Sequence, residues 1–167
     1  MTESEKRTHR CCFTGHRPEK LSLPESEVKA ELEKEIRLAI ADGINVFIVG
    51  MAPGVDIWAA EVILELREKE ELTLKLIAAS PHPGFENRWY IEWQKRYASI
   101  MSKADFIKEV CSHYSRGCYQ IRNEWMVDHS ARVIAAYNGT YGGTRNTINY
   151  ALTRNVDVVN LLESELL

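Results

Sequence analysis

The apolar run Val133-Ile-Ala-Ala136 ends in a glycine-bearing loop, residues 137–143, which opens directly into Thr144, Ile148, Ala151 and Leu152 at helical spacing. A short apolar strand, a glycine turn and an immediate helix start leave few folds open. The same succession repeats along the chain. Residues 10–14 read as a strand, followed by the turn Gly15-His-Arg-Pro18, and Ser22-Leu-Pro-Glu25 resembles a capping box. Val28, Leu32, Ile36, Ala39 and Ile40 then share one helical face, closed by Asp42-Gly43. Residues 45–49 are apolar on both faces, as buried parallel strands are. Gly50-Met-Ala-Pro-Gly54 leads into a second helix with Ala59, Val62, Ile63 and Leu66 inward and a charged tail at 67–71.

Residues 74–78 form the third predicted strand, and Pro81-His-Pro-Gly-Phe85 a loop. Trp89, Trp93, Tyr97 and Ile100 repeat at three or four residues, which predicts a third helix with an aromatic stripe for the core or a dimer interface. A strand at 106–110, a polar loop at 111–117, a helix at 119–129, a strand at 132–137, a helix at 144–154 and a strand at 157–161 complete the pattern. The predicted fold class is therefore α/β: a single Rossmann-like domain with a mostly parallel sheet and helices on both faces. It is expected to occupy residues 10–167, after a flexible N-terminus at 1–9 and with fraying at 163–167.

Composition narrows the function classes. The net charge of −3 over 167 residues disfavours a broad nucleic-acid-coating surface and leaves room for a local basic pocket. No apolar run approaches the roughly 20 residues of a membrane span, and the N-terminus lacks an apolar signal core. A cytoplasmic protein with reduced thiols is expected. Cys11 and Cys12 are adjacent and should face opposite sides of a strand; Cys111, His113 and Cys118 match no common zinc spacing. Neither a metal nor a cofactor is expected.

Polar or glycine-rich clusters follow strand after strand: Gly15, His16 and Arg17; Gly50, Gly54 and Asp56; Pro81 and His82; Gly142, Gly143 and Thr144. In open parallel sheets these turns gather at the carboxyl ends of the strands, where ligands bind. The dinucleotide fingerprint Gly-x-Gly-x-x-Gly is absent after the first strand, as is the Gly-x-x-x-x-Gly-Lys-Ser/Thr phosphate loop. A dehydrogenase and an ordinary ATPase are both disfavoured.

At these residues the chain resembles the SLOG superfamily, which joins DprA-like DNA-processing proteins, LOG-type phosphoribohydrolases and YpsA-like proteins. Gly50-x-Ala52-x-Gly54-Val55-Asp56 is similar to its glycine–aspartate turn, and Gly143-Thr144-x-x-Thr147-x-x-x-Ala151 to its phosphate-gripping helix start. Thr14-Gly-His-Arg-Pro18 and the Trp-bearing helix after Pro81 suit the YpsA-like branch. The resemblance spans residues 10–161 and implies a Rossmann-like fold that binds nucleotides or nucleotide-derived ligands, with a homodimer as a family expectation. LOG enzymes also need a glutamate three residues after the Gly-Thr step, where this chain has Thr147; Arg122, Met126 and Ser130 do match their arginine-bearing spacing. A hydroxyl cannot replace a carboxylate in acid–base work.

The residues divide by role. Gly142, Gly143 and Thr144 are the candidate anion grip, with Thr147 one turn on either reaching the same anion or back-bonding in its helix. Gly15 permits a tight turn; His16 and Arg17 are candidates for phosphate or base, or for structural hydrogen bonds. Gly50 and Gly54 shape the second turn. Asp56 either holds a ribose hydroxyl or caps its helix. Arg122 and Asn123 are candidates for a phosphate contact, with a surface salt bridge as the alternative for Arg122. Trp89, Trp93 and Trp125 are read as core or dimer interface, with base stacking as the alternative, and Glu61 and Glu65 as a solvated face. The leading expectation is a non-catalytic binder of a mononucleotide, an ADP-ribose-like molecule or a nucleotide second messenger. The alternatives are N-glycosidic hydrolysis of a nucleoside monophosphate, using Arg122 and Asp56, and single-stranded DNA binding.

Overall fold

The computed structural model describes residues 1–162; the fraying expected at 163–167 lies outside them. Six strands alternate with helices. The strands are β1 (Arg10–Gly15), β2 (Val46–Val49), β3 (Lys75–Ser80), β4 (Phe106–Glu109), β5 (Arg132–Ala136) and β6 (Asp157–Asn160). The helices are α1 (Glu3–Arg7), α2 (Glu25–Ala41), α3 (Val55–Lys69), α4 (Ile91–Lys103), α5 (Cys118–Asp128) and α6 (Gly143–Thr153). Residues 1–9, read from sequence as a tail, include the short helix α1, capped by Thr2 and Glu5.

All neighbouring strands pair in parallel, in the order β4-β3-β2-β1-β5-β6. The fold class is thus α/β and Rossmann-like, with a sheet that is parallel throughout. The order runs outward in both directions from β1 and β5, whose ends pair Gly15 with Ala136. Chain leaving β1 turns toward one layer of helices and chain leaving β5 toward the other, which opens a crevice between the two loops.

Strand periodicity sorts the core. Cys11, Phe13, Phe47, Val49, Leu76, Ala78 and Ile134 pack with the inner faces of α2, α3 and α4. Cys12, Ile48, Ala79 and Val133 pack on the other side with Met126 and Val127 of α5 and Ala151 of α6. The adjacent cysteines do face opposite layers. Each fully buried Leu, Ile or Phe in these layers contributes about 1.5–3 kcal/mol.

Pro24 precedes α2, and its carbonyl accepts from the N–H groups of Glu27 and Val28 at 3.1 Å. One local expectation fails for a clear reason. Glu61 is not on a purely solvated face. Arg96 of α4 donates to both oxygens of Glu25 at 3.0 Å and to Glu61, while Lys29 sits 3.1 Å from Glu61, tying α2, α3 and α4 together. Glu65 does lie exposed, paired with Lys69.

Candidate functional site

The crevice between the β1 and β5 loops is a cavity of about 180 Å³. Gly15, His16 and Arg17 border it from the end of β1, Asp56 from the first turn of α3, Arg122 and Asn123 from α5, and Gly142, Gly143 and Thr144 from the start of α6. Segments up to 129 residues apart in sequence therefore meet at one mouth, as the strand-end pattern predicts. Gly50, Gly54 and Thr147 are not among the lining residues.

Each of those three has a different duty. The Thr147 hydroxyl donates to the Gly143 carbonyl at 2.8 Å, so it back-bonds within α6 and is turned away from the cavity. Gly54 precedes α3 with φ 98°, and a Cβ there would lie 2.9 Å from the Pro18 ring. Gly50 leaves space: a Cβ would stand 2.9 Å from Asp56 Oδ2 and 3.0 Å from Arg122 Nη1. These glycines support the site from behind.

Arg122 is a buried cation rather than a surface partner, with 5% of its surface exposed. Its Nη1 donates to the Gly50 carbonyl and, at 3.5 Å, to that of Ala79; its Nε donates to Asn123 Oδ1 at 2.8 Å. Its guanidinium carbon lies 5.7 Å from the centroid of the Phe85 ring. Burial pulls the Arg122 pKa down and Arg17 pulls it further, with Asp56 opposing both. Burial likewise pushes the Asp56 carboxyl up, against the pull of Arg122, the Ala52 N–H and Arg17. That N–H reaches Asp56 Oδ2 at 3.2 Å. It is presented by the turn after β2, where Met51 adopts φ 69°, a left-handed conformation rare for a buried side chain. Sequence reading did not anticipate this strained residue.

On the opposite wall, α6 begins at Gly142 with φ 147°, a backbone open to glycine, and no side chain caps the helix. Its first N–H groups thus supply a partial positive charge beside the cavity. His16 is 5% exposed and tilts against Tyr137, with ring centroids 5.7 Å apart. Its Nε2 is buried without a hydrogen-bond partner among the described residues. Burial is the main cause that holds its pKa below the ordinary histidine value; Lys20 adds to it and Asn138 opposes it. Asn138 also donates to the Lys20 carbonyl at 2.8 Å, which joins the β5 loop to the one-turn helix Pro18–Lys20.

Ala52 of the glycine–aspartate turn also lines the cavity, and so do Lys20 and Tyr119, which no sequence motif marks. Tyr119 was detectable in principle, because it lies three residues before Arg122 on the same helical face. Lys20 carried no comparable signal. In sum, Arg17, Lys20 and Arg122 oppose Asp56 as the lone carboxylate of the lining, so the cavity suits an anion. Among the described residues no group of His, Cys, Asp and Glu is arranged to hold a metal. No described helix is long and apolar enough to cross a membrane.

Comparison with known proteins agrees with this architecture. The profile of the YspA SLOG family matches residues 11–160. A UPF0398 protein of Oceanobacillus iheyensis is 28% identical over 139 residues, covering 78% of this chain and 74% of the relative. The structure of DNA processing protein A from Helicobacter pylori, described for its single-stranded DNA binding mode, superposes with a TM-score of 0.65 at 20% identity. That likeness covers 95% of this chain and 66% of the other. A molybdenum cofactor binding protein from Rippkaea orientalis gives 0.59 at 19% identity, covering 96% and 82%. At such identities the two structures report on the fold.

Proposed function

The chain belongs to the YspA SLOG family, and from that premise we propose that it binds a nucleotide or nucleotide-derived ligand through its phosphate, as a non-catalytic sensor or sequestering protein. The observation that carries this reading is the meeting, in one cavity, of an uncapped helix start and three cationic side chains, Arg17, Lys20 and Arg122. The SLOG resemblance implies a nucleotide or nucleotide-derived ligand, which suits an anion grip at strand ends.

Calorimetry on the full chain tests it, against inorganic phosphate, AMP, ADP-ribose, a cyclic dinucleotide and a short single-stranded oligonucleotide. Saturable binding of phosphate-bearing ligands, weakened at least fivefold by Lys20→Ala or Arg17→Ala, supports the proposal. Silence across the panel from a folded sample removes it. A second reading, N-glycosidic hydrolysis, is favoured by one fact: Asp56 and Arg122 line the same cavity. Release of adenine from AMP, abolished in Asp56→Asn, would establish turnover; no release at high protein concentration would exclude it. The oligonucleotide arm decides whether single strands are bound, a reading that the low-identity DprA likeness leaves to experiment.

A further inference from the structure

The anion cavity is too small for a whole nucleotide: its volume of about 180 Å³ falls below the roughly 300–1,000 Å³ of small-molecule sites. Beside it lies a larger cleft of about 810 Å³, built on the loop after β3 and the segment leading into α5. Its walls include His82, Phe85, Trp89, Tyr114 and Tyr119. Two contacts join the compartments. Tyr119 lines both of them, and the Arg122 guanidinium of the first lies over the Phe85 ring of the second.

The cleft's rings are ordered. His82 and Tyr119 are nearly coplanar in orientation, 7° apart with centroids 6.0 Å apart, while Phe85 and Tyr114 stand edge-on to His82 at 79°. His82 Nδ1 lies 2.8 Å from the Pro83 carbonyl, an acceptor, so Nδ1 carries the proton and the ring orientation is fixed. Tyr114 and Tyr119 nevertheless keep 63% and 42% of their surface exposed. Aromatic side chains this exposed on the wall of a cleft, next to an anion grip, fit a flat heteroaromatic ring.

We propose that this cleft receives the base of the same ligand whose phosphate occupies the neighbouring cavity, with Tyr119 as the shared wall; the ligand class is a phosphorylated nucleoside. This rests on the anion reading above. The phosphate is held by α6, Arg17 and Lys20, and the base stacks against Tyr119 and Tyr114. Specificity for the base then resides in the loop after β3, and affinity for the phosphate in the loops after β1 and β5.

Calorimetry with inorganic phosphate, adenosine, AMP and a short oligodeoxyadenylate separates the two compartments. AMP should bind wild type at least tenfold more tightly than inorganic phosphate. Tyr119→Leu should weaken AMP about tenfold, within the range measured for base–aromatic stacking, and inorganic phosphate by much less, while Tyr114, which lines only the cleft, gives the variant that leaves inorganic phosphate unchanged. Tyr114→Ala, at a mostly exposed position that folding tolerates, should show the same selective loss to a smaller degree. Oligodeoxyadenylate captured more tightly than AMP, with the same Tyr119 dependence, supports the stacking and assigns the ring to a strand. The proposal is overturned if phosphate and AMP bind equally, or if neither Tyr variant affects AMP; the anion reading then stands. If neither phosphate nor AMP binds the folded protein, both readings fall.

Discussion

Replacing Arg122 by methionine should destabilise the protein by about 2 kcal/mol, from a charge-assisted hydrogen bond worth roughly 1.5–3 kcal/mol. That bond is the one to the buried Gly50 carbonyl. The contact to Ala79 at 3.5 Å is long and counts for little, and the bond to Asn123 is partly buried, so water replaces it. Methionine keeps most of the volume and removes the cost of burying a guanidinium, which gives back part of the loss. For a chain of this size, 2 kcal/mol lowers the thermal midpoint by about 4–8 °C. The deficit also carries a pH signature. Burial already raises the Asp56 pKa, and removing Arg122 removes the charge that most opposes the rise. The variant's folded state then holds its proton to higher pH than wild type, so the deficit is full near neutrality and shrinks on acidification. Calorimetric melting of both proteins from pH 7.5 down to 4.5 provides the comparison. An unchanged midpoint, or a deficit that is constant or grows as pH falls, would refute this account of the buried pair.

Two further outcomes are expected. His16 has its folded pKa depressed, chiefly by burial; its stabilising contribution is present above about pH 6.5, the unfolded value, and is lost as pH falls through the folded value. His16→Gln should therefore flatten the decline in thermal midpoint between pH 7 and 5, and an unaltered slope would contradict the assignment. Arg96→Ala, which cuts the ties to Glu25 and Glu61, should cost about 1 kcal/mol at low salt and less at high salt, since its partners are partly exposed; urea midpoints at two ionic strengths measure it.

The strands were legible because parallel sheets demand apolar residues on both faces, and residues 46–49 and 133–136 satisfy that without interruption. The crevice was legible for a related reason: Gly15 and the Gly142-Gly143-Thr144 step sit where β1 and β5 end, and sheet order forces those ends together. What failed was the division of labour among similar residues. Gly50 and Gly54 look like ligand-contacting glycines, yet one makes room for Arg122 and the other for Pro18. Thr147 lies a turn from Thr144, but its hydroxyl is committed to Gly143. Sequence spacing leaves Arg122 open as a phosphate contact or a surface salt bridge, and only the packing of α5 against β3 and the Phe85 loop shows it buried. Such distinctions depend on which neighbours crowd a position, and no spacing rule contains that information.

The back-to-back thiols of β1 offer an experimental handle. Cys11 lies beneath α2 and α3, Cys12 beneath α5 and α6, and burial pushes the first well above the ordinary thiol pKa and the second up to about 12. Neither reacts with an alkylating reagent until the helices over it lift away. Two neighbouring residues thus act as separate clocks, and mass spectrometry of their alkylation kinetics can time the breathing of each half of the sandwich, with and without ligand in the crevice.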